Sequence, residues 1–352
     1  MTIMVTGGCG FIGSNFVIDW LEKNNEMVIN IDKLTYAGNL NNLSKVKKNI
    51  NHIFFKKDIS DNVYISKLLN QYKPRFIINF AAESHVDRSI DSPEAFIQTN
   101  ILGTFHLLET AKSYWNMLDN EKKTNFRFLH ISTDEVYGAL ELNDAPFNED
   151  HNYSPNSPYS ASKASSDHLV RSYFKTYNFP TLITNCSNNY GPFQFPEKLI
   201  PLTIHNALKG ANIPIYGDGQ QVRDWLYVLD HCNALSLVLK NGKIGETYNI
   251  GGLNEKTNLE VVSTLCFILD KLRPNKFGNS YKSQIKFVND RPGHDQRYAI
   301  DANKIKKILK WAPIENFETG LEKTVKWYLA NQNWMSDVTR DEYRLWSKRQ
   351  YS

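Results

Sequence analysis

The chain of 352 residues is 41% hydrophobic and 22% charged, which excludes wholesale disorder and leaves ample apolar residue for a large core. Its 41 basic residues nearly balance 37 acidic ones, a net charge of +4, which excludes a dedicated nucleic-acid binder. The longest apolar stretches, such as residues 76–82, are strand-length and too short for a transmembrane helix, and the opening MTIMVTGGCG lacks the basic and long apolar regions of a signal peptide.

Up to Glu135 the sequence alternates between two textures. Apolar runs rich in Ile, Val and Phe recur at Ile3–Thr6, Met27–Ile31, His52–Phe55, Phe76–Phe80 and Phe126–Ile131, and amphipathic or polar stretches such as Phe11–Asn24 and Ala95–Trp115 lie between them. Strands that are apolar throughout, alternating with helices, predict a parallel sheet buried on both faces. The fold class is therefore a doubly wound, Rossmann-type α/β domain. A helix is predicted over Tyr159–Tyr177 and a further strand over Thr181–Asn185. Beyond Tyr190, Pro and Gly punctuate the chain, which reads as loops and small elements forming a smaller mixed lobe against the sheet. The expected division is 1–190, mainly dinucleotide-binding, and 191–330, mainly substrate-binding and interleaved with it, with 331–352 an unassigned tail.

The loop after the first strand reads Gly7-x-x-Gly10-x-x-Gly13 and opens a helix at Phe11. Such a turn lets a pyrophosphate approach the backbone and meet the free N–H groups of a helix N-terminus. Asp32 closes the next strand, where an acid accepts from the adenosine ribose hydroxyls and repels a 2′-phosphate. Asp58, after the third strand, either meets the adenine amine or caps the following turn.

Tyr159 and Lys163 stand four apart on one face of the predicted helix. An ammonium there lowers the tyrosine pKa and makes a general base, although a chance spacing fits the residues alone equally well. The strand Phe126–Ile131 runs into Thr133-Asp134-Glu135, which places a hydroxyl and two carboxylates at a strand's carboxyl end. Two acids in one site can settle in different protonation states, one acid and one base; a solvated, helix-capping turn is the alternative. Cys9, Cys186, Cys232 and Cys266 form no CxxC pair and read as buried free thiols in a reducing cytoplasm, with no metal site expected.

Taken together, TGGCGFIG at 6–13, Asp32, the YSASK segment at 159–163 and the strand order resemble the extended short-chain dehydrogenase/reductase family. Within it, DKLTYAGN (32–39), AAESHVDRS (81–89), TDEVYG (133–138), CSNNYGP (186–192) and DRPGHD (290–295) are similar to the nucleotide-sugar 4,6-dehydratases. Cys9 stands where that family commonly has Ala, and the acid pair stands where sugar epimerases of the family carry small residues.

The resemblance implies NAD as cofactor, held by Gly7, Gly10, Phe11, Ile12, Gly13, Asp32, Lys33, Leu34, Thr35, Asp58, Ile59, Ala81, Ala82, Thr99, Tyr159, Lys163 and Asn189. It implies a nucleotide sugar, dTDP-glucose with UDP-glucose the alternative, held by Ser84, Thr133, Asn188, Lys198, Leu199, Arg223, Asn258, Arg291 and His294. Arg223 and Arg291 suit diphosphate oxygens, whereas from sequence alone each pairs as well with its neighbour, Asp224 or Asp290. The implied roles are Tyr159 as base at O4 with Lys163 and Thr133 assisting, Glu135 as base at C5 and Asp134 as acid at O6. A UDP-sugar 4-epimerase, a UDP-glucuronate decarboxylase and a NAD-binding protein without catalysis are the rivals. The family also implies a homodimer through the helices of Ala95 and Tyr159, where Phe96, Phe105, Leu169 and Phe174 supply apolar surface.

Overall fold

The structure is a computed structural model and describes residues 1–276, 278–290 and 292–339. β1 (Thr2–Thr6), β2 (Met27–Asp32), β3 (His52–Lys56), β4 (Phe76–Asn79), β5 (Arg127–Thr133) and β6 (Thr181–Cys186) fall within two residues of the predicted strands. They are followed by β7 (Asn188–Tyr190), β8 (Ile213–Tyr216), β9 (Val222–Tyr227) and β10 (Thr247–Ile250). The main sheet runs β10-β6-β5-β4-β1-β2-β3, parallel throughout. The strands are apolar on both sides because both faces are covered. Along β1, Ile3 and Val5 enter one core cluster and Met4 enters the cluster on the opposite face.

Register aligns the carboxyl ends of the central strands on one rim. Thr6 pairs with Ile31 and with Asn79, and Thr133 pairs with Cys186. The helix Phe11–Lys23 leaves the glycine loop at that rim. The helix Pro158–Tyr177 starts on a Ser157–Ser160 capping box with Pro158 in its first turn, and stops at Asn178 in the left-handed region. The helix expected over Ala95–Trp115 is interrupted. Helical turns at Glu94–Phe96 and Thr104–Asn116 flank a π-helical segment, Ile97–Gly103, that rotates its side chains relative to a continuous helix.

Past Tyr190 the chain is more regular than its Pro and Gly content predicted. Four helices of 11 to 15 residues, Leu199–Lys209, Val228–Asn241, Asn258–Leu272 and Phe317–Ala330, lie there. Amphipathic packing overrides the local breakers: Ile200, Ile204, Val261, Leu265, Phe317 and Tyr328 share one core with Tyr190 and Trp225. This region also holds β11 (Glu255–Thr257), β12 (Ile285–Val288) and β13 (Arg297–Tyr298). β9 pairs with β7, β11 and β13, and β12 pairs with β8. β10 returns to the edge of the main sheet, so the two lobes interleave. The helix Gln332–Val338 docks through Trp334, whose Nε1 donates to Asn42 Oδ1 at 2.7 Å. The rest of the tail, from Arg340, lies outside the described residues.

Candidate active site

The glycine loop forms one wall of a cavity of about 300 Å3 at the rim. Gly7 has φ +69°, and a Cβ there would lie 2.6 Å from the Ala81 backbone nitrogen. At Gly13 a Cβ would lie 2.3 Å from the Gly7 carbonyl oxygen. The first helix has Gly10 at its N-cap and no capping side chain, so its leading N–H groups face the cavity rather than a side-chain oxygen. Asp32 is 9% exposed; its Oδ2 accepts from Cys9 N at 2.9 Å and its Oδ1 from Leu34 N at 2.7 Å. Burial raises its carboxyl above the usual range, with those two N–H bonds acting the other way. Asp58 lines the cavity, and its Oδ1 caps Ser60 N at 2.9 Å. Burial works to raise it, but Lys33, 2.8 Å from Oδ2, and Ser60 hold it below its ordinary value.

Every residue expected at the cofactor lines this cavity except Leu34. Leu34 packs against the hydrophobic core, with φ 57°, because Asp32 pins its N–H and turns the side chain inward. Thr99 reaches the cavity from the π-helical segment. Its neighbour Asn100 accepts from Glu83 N at 2.9 Å and donates to Glu83 O at 3.0 Å and Ser162 Oγ at 2.8 Å. That one amide joins the loop after β4 to the helix of Tyr159.

Thr133, Asp134, Glu135, Tyr159 and Lys163 meet in the same cavity. Asp134 is 2% exposed, and its Oδ2 has no hydrogen-bond partner among the described residues. Burial, then Glu135 and Asp224, push its carboxyl well above the carboxylate range, which favours the acid form over the carboxylate relative to an ordinary Asp. The expected lowering of Tyr159 by Lys163 is not seen. Burial, then Glu135 and Cys186, raise the phenol well above its ordinary value, with a hydrogen bond to Thr133 acting the other way. Lys163 Nζ instead donates to the Ile131 carbonyl at 2.8 Å.

A second chamber of about 170 Å3 opens from the first, and Glu135, Asn188, Asn189, Gln194, Glu197 and Lys198 line both. Leu199, Arg223, Asn258 and His294 line the second, and Ser84 lines the first. Arg223 does not depend on Asp224 for its setting. Asp224 accepts from the N–H groups of Gly252 and Asn254, while Arg223 lies over the Tyr298 ring and donates to the Asp295 carbonyl at 2.9 Å. Arg291 lies outside the described residues.

Residue-by-residue reading of the sequence passed over Gln194 and Glu197. Glu197 is 6% exposed; it accepts from Tyr36 OH at 3.0 Å and from Arg88 Nε at 3.2 Å, tying the loop of Tyr36 and the short helix Val86–Asp91 to the second lobe. No local pattern marks it, since its partners lie more than 100 residues away. The uncapped helix, the bare glycine backbone and the acids closing β2 and β3 fit a dinucleotide, and the unpartnered buried acceptors Asn188 Oδ1 and Gln194 Oε1 leave polar capacity for a ligand. Among the described residues no group of three His, Cys, Asp or Glu is placed to hold a metal ion, and no helix is long and apolar enough to cross a membrane.

The family model described as GDP-mannose 4,6 dehydratase matches residues 4–324. The chain is 55% identical to the dTDP-glucose 4,6-dehydratase of Salmonella typhimurium over 359 residues, covering 100% of this chain and 99% of that protein. The solved dTDP-glucose 4,6-dehydratase of Bacillus anthracis, in complex with NAD, matches with a TM-score of 0.85 at 45% identity, covering 96% of this chain and 99% of that one. That of Streptomyces venezuelae, with NAD and TYD bound, matches with a TM-score of 0.87 at 42% identity, covering 96% and 100%. The chain belongs to the GDP-mannose 4,6 dehydratase family, within the extended short-chain dehydrogenase/reductase type and alongside the dTDP-glucose 4,6-dehydratases.

Proposed function

We propose that this protein is an NAD-dependent dehydratase that converts dTDP-glucose to dTDP-4-keto-6-deoxyglucose. The observation that carries the reading is the meeting of Tyr159, Lys163 and Thr133 with a carboxylate pair in which burial and Glu135 raise Asp134 well above the carboxylate range. NAD, when bound, supplies an acceptor for the C4 hydride and a donor that returns it to C6. Tyr159 takes the proton from O4, with Thr133 orienting that hydroxyl. The C4 ketone so formed acidifies C5–H, and Glu135 removes that proton. Asp134 protonates the departing 6-hydroxyl, which leaves as water. Glu135 returns its proton to C5 as the hydride reaches C6. The cycle leaves the O4 proton on Tyr159 and Asp134 ionised, so the site resets, with no net proton exchange, once that proton passes from Tyr159 to Asp134.

Ser84, Asn188, Lys198, Leu199, Arg223, Asn258 and His294 hold the nucleotide sugar across the two chambers, and residues 1–190 mainly carry the cofactor and 191–330 the sugar nucleotide. Two copies pair through the helices around Ala95 and Tyr159. Ile97, Leu102 and Phe105 support this, being 43%, 40% and 38% exposed, whereas Phe96 is buried against Tyr159. Buried free thiols at Cys9, Cys186, Cys232 and Cys266 support a reducing cytoplasm.

The test is incubation with dTDP-glucose and UDP-glucose separately, with products weighed by mass spectrometry. The expected product is dTDP-sugar lighter by one water, without stoichiometric release of reduced cofactor. An isomer of unchanged mass would identify an epimerase, and a product from UDP-glucose alone would overturn the choice of nucleotide.

A further inference from the structure

Lys163 brings a charge into the interior. It is 3% exposed, and its hydrogen bond to the Ile131 carbonyl is to a neutral group. A buried ammonium keeps its proton only beside an opposite charge. His130, whose Nε2 is 3.3 Å from Nζ, is no such partner. Thr6 Oγ1 donates to Asn79 Oδ1 at 2.6 Å, which fixes that amide so that its Nδ2 faces His130 Nδ1 at 3.2 Å. The ring proton therefore sits on Nε2, toward Ser166 Oγ at 3.1 Å and Asp167 Oδ1 at 3.4 Å. Burial and the Lys163 charge hold the ring well below its ordinary pKa, so His130 is neutral. Two acidic groups act on Lys163, Asp167 and Cys186, and burial pushes the Cys186 thiol far up, so it too is neutral.

Asp167 remains. It stands four residues beyond Lys163, so Tyr159, Lys163 and Asp167 share one helix face. It is 1% exposed. Its Oδ2 accepts from Ser132 Oγ at 2.7 Å, Tyr153 OH at 3.2 Å and Asn185 Nδ2 at 3.3 Å, and its Oδ1 makes no hydrogen bond among the described residues. Burial raises it to about 6, with Lys163, Ser132, Asn185 and Tyr153 acting the other way, so it is ionised at neutral pH. Tyr153 is raised far above neutrality by burial and then by Asp167, and stays a donor. The same Asn185 amide donates to the Thr133 carbonyl at 3.1 Å.

We propose that Asp167 is a positioning residue for proton abstraction: it is the buried counter-charge that keeps Lys163 an ammonium on the Tyr159 face, and its bonds to Ser132 and Asn185 fix that charge relative to Thr133. The proposal rests on Tyr159 and Lys163 acting as the proton-abstracting pair. Without the carboxylate, Lys163 sheds its proton, and proton abstraction from O4, the step the pair is read to serve, reaches its full rate only at higher pH.

The experiment uses Asp167→Asn, which keeps the side-chain shape and an acceptor for Ser132. Single-turnover reduction of bound NAD by dTDP-glucose is followed by absorbance across pH, with NAD affinity as the control. The variant should keep its NAD affinity, react more slowly, and show a midpoint shifted upward by roughly one pH unit. A midpoint equal to wild type, at any rate, overturns the proposal. Asp167→Asn is also made in a Lys163→Met background, and thermal stability is compared. The loss caused by Asp167→Asn should shrink or vanish once Lys163 is gone, and an equal loss in both backgrounds overturns the proposal, even where the single variant is inactive or unfolded. A wild type that never reduces its cofactor would strike the functional reading instead, and the stability comparison would still decide the role of Asp167.

Discussion

Thr133 Oγ1 donates to Asp134 Oδ1 at 3.2 Å, and the same hydroxyl is the hydrogen-bond partner of Tyr159. Thr133 therefore links the group that takes a proton at O4 to the group that gives one at O6. Its own position is fixed by the Glu135 N–H, which donates to Oγ1 at 3.3 Å.

Thr133→Val should preserve the shape and remove the bonds to Asp134 and Tyr159 together with the one from the Glu135 N–H. At about 1 kcal/mol for each hydrogen bond lost, kcat should fall by roughly 10–100-fold with little change in NAD affinity. Thr133→Ser should recover most of the loss. Steady-state kinetics on the two variants checks this, and equal loss in both would mean that the methyl group, not the hydroxyl, matters.

Glu135→Gln should separate oxidation from elimination. Tyr159, Lys163 and Thr133 remain, so mixing with dTDP-glucose should still give the reduced-cofactor absorbance. Loss of a positioned base costs ~10²–10⁴ in rate, so keto-deoxy product and deuterium exchange at C5 should both fall by that much. Tyr159→Phe should abolish the absorbance change as well. Near-normal dehydration by a folded Glu135→Gln protein would remove Glu135 from the mechanism.

Asp134 sets a pH dependence of known sign. Burial, Glu135 and Asp224 raise its native pKa above the unfolded value of ~3.9, so the native state binds this proton more tightly. The stabilisation from that proton is full below the unfolded pKa and is lost as pH rises through the native one. Elimination, which consumes the proton, should slow over the same upward range. Asp134→Asn cannot ionise, so it should unfold at higher pH than wild type while eliminating ~10²–10⁴-fold more slowly. Thermal melts and single-turnover rates across pH measure the two limbs, and a variant that keeps the wild-type alkaline limb in both would contradict the assignment.

Asp32 should make the protein choose NAD over NADP. A 2′-phosphate would meet a carboxylate only 9% exposed, and like charges so placed cost several kcal/mol, about 100-fold or more in affinity. Calorimetric titration with each cofactor gives the ratio, and comparable affinities would show that the ribose lies away from Asp32.

The sequence by itself determined the parallel sheet, because strands buried on both faces carry apolar residues on both sides, as Ile3, Met4 and Val5 of β1 do. It also determined the glycine loop, which only residues without a Cβ can form against Ala81 and Gly7, and it marked the acids and the tyrosine–lysine helix by their place at strand ends. What it left open depends on neighbours distant in the chain. The raised carboxyl of Asp134 follows from burial first, then from Glu135 and from Asp224, ninety residues later, so adjacency of Asp134 and Glu135 alone assigned neither role. The setting of Lys163 follows from Ile131, His130 and Asp167, which β5 and the helix bring together. The inward turn of Leu34, the π-helical segment that delivers Thr99 and Asn100, and the return of β10 to the first sheet are likewise products of packing. A residue's type shows which chemistry it can perform; its desolvation and its charged neighbours, which only the tertiary structure supplies, decide which protonation state it holds and therefore which step it serves.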